Sequence, residues 1–199
     1  MSVSLHTATA TADDTSALAY GRSLRNLYFT RFAFAIIWVG SMFAATARNT
    51  EPNTLLTVLL IIYPAFDAAA VLWQLRADPD KQRSKAAEWT NVVVSVAIAI
   101  ALGITSSVTI PGALAVWGVW AIVSGIPQLI AAIRNRHSGG QVAQMLSGGI
   151  SVLAGVGFLT QSIQGNGAMT GAAGYATLGA IFFLVSAVRL SMKLRRDRA

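Results

Sequence analysis

One carboxylate stands inside an otherwise apolar stretch. Asp67 lies in LLTVLLIIYPAFDAAAVLWQLR, and an ionisable group at membrane depth is a functional candidate by default, because burying a charge in hydrocarbon is costly. Tyr63 and Gln74 share its helical face at i−4 and i+7. Pro64 lacks a backbone donor and frees a carbonyl near Leu60, which loosens the helix beside the acid. A second stretch repeats the arrangement in uncharged form, with Ser124, Pro127 and Gln128. Two Pro-distorted helices carrying polar residues at similar depth could line a small cavity. Asp67 would then handle a proton or a small solute.

A blander reading competes with that one. Arg31 and Asp67 each stand 18 residues from position 49, in the turn that joins their two helices. A symmetric hairpin places them at one depth, where an ion pair would lower the cost of both charges without any transport. Arg189 is a second candidate partner, and a protonated, inert Asp67 is a third reading. Little other chemistry is available. The two histidines, His6 and His137, lie in a tail and a loop, which assembles neither a His-based metal site nor a catalytic triad. No Gly-rich phosphate loop with a Lys occurs, and GNG at 165–167 is a turn. The absence of cysteine removes disulfides and thiolate metal ligands. The expectation is no catalytic residue, no cofactor and no metal.

The elements that position these residues follow from the charge distribution. Charged residues make up 12% of the 199-residue chain, about half the usual share, and they cluster in the tails and two loops. Between them run apolar stretches of roughly 17–24 residues, the length that crosses a ~30 Å hydrocarbon core. The spacing predicts six transmembrane helices, over about 27–47, 54–75, 89–104, 112–133, 141–159 and 168–190. The fold class is therefore all-α and polytopic. Residues 1–26, Ser/Thr/Ala-rich and without an apolar run, are expected as a disordered tail; they lack the pattern of a signal peptide. Residues 191–199 form a basic tail.

Lys and Arg alternate between the two sides. Three precede or open helix 1, four follow helix 2, two follow helix 4, and five lie at or beyond the end of helix 6. Arg48 alone of the fifteen falls on the other side. The positive-inside rule then puts both termini in the cytosol. The pI near 10.6 reflects this topology and attraction to anionic headgroups, with no call for nucleic acid. Arg76, Lys81, Arg83, Lys85, Arg134, Arg136, Lys193, Arg195 and Arg196 are the expected headgroup contacts. Trp73 and Trp89 read as interface anchors, and Trp38, Trp117 and Trp120 as packing residues.

The closing basic residues Arg76, Arg134 and Arg189 stand 58 and 55 positions apart, so the helices group as three tandem hairpins, 27–76, 89–134 and 141–190. Helix 5 carries Ser147, Ser151 and Gly155 at four-residue spacing. Helix 6 carries Gly167 and Gly171, then Ala172, Ala176 and Ala180. Such faces let backbones approach closely where no hydrophobic effect drives helices together. Internal packing is the first use expected of them, and a homo-oligomer contact the second.

The run GVWAIVSGIPQLIAAIRNRHSGG, followed by LSGGISVLAGVGFL, resembles the short-repeat family of bacterial inner-membrane proteins that includes the acid-resistance membrane protein HdeD. Members look like six helices in hairpin repeats, with Ser-Gly-Ile in an even helix, a basic loop and a Gly-rich odd helix. The close likeness spans Trp117–Leu159. It implies a plasma-membrane protein linked to acid or general stress, with no catalytic residue to carry over. A small proton or solute transporter using Asp67 is the alternative that the residues themselves leave open.

Overall fold

The computed structural model describes residues 2–46, 51–80, 84–134, 141–165 and 167–196, with backbone alone at 2–15, 17, 141, 143 and 144. Six helices follow one another: α1 (Ser2–Thr46), α2 (Thr54–Ala77), α3 (Ala86–Ser106), α4 (Ile110–Arg134), α5 (Gln141–Ile163) and α6 (Thr170–Arg196). Among the described residues there is no strand. Each helix contains a segment of 19–29 residues long and apolar enough to cross a bilayer. The chain is an all-α, multi-pass membrane protein.

Two ends run further than the pattern predicts. Helical backbone reaches back to Ser2, where the composition suggests a disordered tail through residue 26. That stretch is rich in Ala and free of Pro, so nothing in it stops a helix already propagating from the apolar span. At the other terminus α6 continues to Arg196, and Lys193, Arg195 and Arg196 in its last turn complement the negative end of the helix dipole.

The ends that face tight turns are capped by their own side chains. Asn53 accepts from Leu56 N at 2.9 Å and opens α2. Thr109 Oγ1 accepts from Gly112 N at 3.1 Å at the start of α4. Beyond α5 the chain turns at Gly165, whose φ of +70° suits a residue without Cβ. Each cap satisfies donors that a helix terminus leaves unpaired.

The six helices form a ring in chain order, each packed against the next and α6 against α1. Packing strength alternates around it. The pairs α4/α5, α1/α6 and α2/α3 are the tight ones; α1/α2, α3/α4 and α5/α6 are looser. Two of the tight pairs, α2/α3 and α4/α5, are consecutive helices linked at the Lys/Arg-rich end of the bundle (here the basic end), where α2 and α4 finish in basic last turns. The hairpins assigned from the repeat spacing are linked at the opposite end, and these are the looser pairs.

The α4/α5 contact is backbone on backbone. A Cβ on Gly118 would stand 2.8 Å from the Gly155 carbonyl, and one on Gly125 would stand 2.9 Å from the Gly148 carbonyl. Gly118 and Gly125 are seven residues apart, as are Gly148 and Gly155, so each pair presents one helix face. These are the glycines of the run that carries the family resemblance. Ser151, Ala172, Ala176 and Ala180 are buried inside the chain as well, so those positions of the small-residue faces serve its own packing.

The ring's interior holds a cluster of aromatic side chains among aliphatic ones. Trp38 of α1 stacks on Trp117 of α4 with ring centroids 5.4 Å apart, and Tyr63 of α2 meets Trp38, Trp117 and Trp120 at 4.5–5.9 Å. Ile37, Val93, Ile100, Ile104, Leu153 and Ile181 point outward and are exposed, as a lipid-facing surface requires. Trp73 and Trp89 are exposed near the basic end.

Candidate functional site

The site is built on three helices that the sequence brings to one depth. Arg31 enters from α1 and Asp67 from α2, and Arg31 Nη1 stands 3.4 Å from Asp67 Oδ1. The side chains are 13% and 20% exposed, so the pair is well withdrawn from the surface. α3 supplies the third member. Ser95, fully buried, lies 3.0 Å from Asp67 Oδ2 and donates its hydroxyl proton to it. Ser95 Oγ also stands 2.9 Å from Asn91 Oδ1, one turn earlier on α3. With a single proton the hydroxyl serves one acceptor at a time, and the carboxylate is the stronger one.

Aromatic rings close the site. The Arg31 guanidinium carbon lies 5.3 Å from the centre of the Phe183 ring of α6, a cation–π distance. Phe34 stacks on Phe66 at 3.8 Å with 9° between planes. Arg31 Nε is buried and without a hydrogen-bond partner. Against it lies a cavity of about 40 Å³ lined by Arg31, Phe34, Tyr63, Phe66, Asp67 and Phe183. A water needs on the order of 10–15 Å³ of such space, whereas small-molecule sites run to several hundred. The cavity suits one or two waters.

The Trp38 indole donates to the Leu59 carbonyl at 2.7 Å, tying α1 to α2 five residues before Pro64. The bond consumes a polar group where no water can satisfy it.

Of the sequence-derived site residues, Arg31, Tyr63 and Asp67 come together. Gln74, Ser124 and Gln128 do not line this cavity. Ser124 is exposed and turns its hydroxyl back onto the Trp120 and Ala121 carbonyls of its own helix, at 2.8 and 3.2 Å. Pro127 is exposed too, and Gln128 half-buried, so this part of α4 does not face α2. Gln74 is half-buried near the end of α2. Gln74 shares the face of Asp67 but lies about 10 Å further along α2, whereas Ser124 and Gln128 are turned away from the cavity by the rotation of α4. Arg189, the other partner considered for Asp67, is exposed.

Ser95 is the residue that sequence reasoning missed. A signal existed: Asn91 and Ser95 are the polar residues of NVVVSVAIAIAL, one turn apart on one face. A serine in a membrane helix bonds its own backbone so readily that the spacing alone does not distinguish a partner on another helix.

The expected headgroup contacts divide into groups. Arg76, Arg134, Lys193, Arg195 and Arg196 are exposed. Lys85 is half-buried, with Nζ 3.7 Å from Asp78 Oδ2, an ion pair between the residues that flank α2 and α3. Lys81, Arg83 and Arg136 lie outside the described residues. Among the described residues no three His, Cys, Asp or Glu side chains gather closely enough to hold a metal ion.

Residues 91–160 match the sequence model of a family described as a short repeat of unknown function, DUF308. The match covers roughly a third of the chain, from early in α3 to late in α5, and contains both glycine pairs of the α4/α5 contact. No curated protein and no solved structure matches the chain.

Proposed function

We propose that this chain is a non-enzymatic protein of the bacterial inner membrane, HdeD-like, which supports acid or general stress adaptation through contacts with the bilayer or with partner proteins. Both termini lie in the cytosol, as the placement of fourteen of the fifteen Lys and Arg residues favours. The observation that carries the reading is the state of Asp67. Its carboxylate is engaged by Arg31 and Ser95 from two neighbouring helices, beside a cavity of about 40 Å³. A site so filled joins helices and leaves no room for a solute. The match to a repeat family whose glycines here serve packing supports the same conclusion.

The test is an imposed pH gradient across liposomes holding the purified protein. The expected result is a gradient that decays no faster than in protein-free liposomes, for the wild type and for Asp67→Asn alike. The alternative reading, a proton pathway through Asp67, draws on the unpartnered Arg31 Nε beside Tyr63 and Asp67. A protein-dependent leak that Asp67→Asn abolishes would establish it and overturn the structural role.

A further inference from the structure

We propose that the groove between the basic ends of α1 and α6 is a binding site for one anionic phospholipid, with its phosphate held between Arg25 and Arg195. The groove has a volume of about 370 Å³ and is lined by Arg25, Asn26, Phe29, Ser191, Leu194 and Arg195. It belongs to the one tight helix pair of the ring that no stretch of consecutive chain joins at this end, whereas α2 runs into α3 and α4 into α5.

The two helices are brought together at Gly21, where an added Cβ would stand 3.0 Å from Leu194 Cδ2. One turn on, the larger Arg25 follows Gly21 on the same face, and the space opens beside it. Arg25 is half-buried, and its Nη2 and Nε donate to Asn26 Oδ1 at 2.9 and 3.3 Å. That contact orients the guanidinium and leaves further N–H donors of its fork for a phosphate. Arg195 is exposed on the opposite wall. Among the described residues no carboxylate lines the groove, so the charge of the two arginines favours an anionic group between them.

Depth selects a lipid over free phosphate. The membrane segment of α1, Leu18–Thr46, has 29 residues and a length of about 43 Å, which covers the hydrocarbon and both headgroup layers. Arg25 stands about 10 Å from its start, a few ångströms inside the boundary between headgroups and acyl chains, from which its long side chain reaches back to a phosphate. Phe29, exposed and one turn deeper than Arg25, supplies an apolar wall that suits glycerol and the first acyl carbons.

Native mass spectrometry of the full chain, released from membranes of mixed phosphatidylglycerol and phosphatidylcholine, tests the site. The expected result is one phosphatidylglycerol retained per chain, at least fivefold over phosphatidylcholine. Arg25→Gln and Arg195→Gln each reduce that preference several-fold. Arg22→Gln, with the same loss of charge on α1 outside the groove, leaves it unchanged. Ser191→Phe fills the groove at constant charge and abolishes retention. An equal effect of Arg22→Gln would show a diffuse surface field and overturn the site, as would full retention by Ser191→Phe. Displacement of the lipid by inorganic phosphate at equal concentration would overturn the lipid assignment. Should Ser191→Phe not fold, the comparison of Arg25→Gln with Arg22→Gln decides alone.

Discussion

Two helix contacts in this molecule solve one problem by opposite means. Inside a bilayer, apolar side chains gain little by leaving lipid for one another, so helices need close packing or polar bonds to stay together. The α4/α5 contact uses close packing: Gly118, Gly125, Gly148 and Gly155 remove side chains until backbone meets backbone. The α1/α2/α3 contact uses polar bonds, through Arg31–Asp67, Ser95 to Asp67 and Trp38 to the Leu59 carbonyl, with Ser106 donating to Thr57 at 3.1 Å further along. The first should tolerate changes of charge nearby and fail when a methyl is added. The second should tolerate modest changes of size and fail when a partner is removed.

The comparison breaks most visibly at Asp67. Replacing it with alanine leaves Arg31 uncompensated, and the expected loss is about 3 kcal/mol of stability, because an unpaired buried charge costs more than the pair contributes. Arg31→Met combined with Asp67→Leu should recover most of it. Thermal unfolding in detergent reads both, and equal melting of Asp67→Ala and wild type would remove the polar half of the contrast.

Gly155→Val tests the other half. Its Cβ would stand 2.6 Å from both the Gly118 carbonyl and Ile122 Cγ1, so the helices must separate. The expected cost is about 1–3 kcal/mol. Gly157, two residues away, has nothing within 4 Å of an added Cβ. Gly157→Ala should therefore be neutral or stabilising by up to about 1 kcal/mol through helix propensity. Equal effects at 155 and 157 would mean that backbone approach is not what holds α4 to α5.

An effect smaller than that of Asp67→Ala is expected at Trp38. Trp38→Phe keeps an aromatic ring in the core but removes the donor to Leu59 and part of the indole's buried volume, at a cost of about 1–2 kcal/mol. A loss as large as that of Asp67→Ala would move the centre of the polar contact from the ion pair to the indole.

The six spans were legible because each depends on local composition, while the outer ends of α1 and α6, at Ser2 and Arg196, run past the apolar runs that announce them. A run of some twenty apolar residues must cross the bilayer, and Pro, Asn and Gly must break it. The depth of Arg31 and Asp67 was legible for the same reason, since equal counts from one turn give equal heights. What height does not carry is rotation. Ser124 and Gln128 share a layer with Asp67 yet do not reach its cavity, while Ser95, inconspicuous among valines, donates a hydrogen bond to the carboxylate. Which helices pack tightly was hidden as well. The repeat spacing and short turns favour α1/α2, α3/α4 and α5/α6, whereas α4/α5, α1/α6 and α2/α3 make the close contacts. A turn limits how far apart two helix ends lie, but the match of small and polar residues along whole faces decides how closely the helices approach. The sequence by itself therefore determined the number of the apolar spans and the common height of Arg31 and Asp67. The tertiary structure alone decided their azimuth and their partners, because those depend on side chains from three or four helices meeting at once.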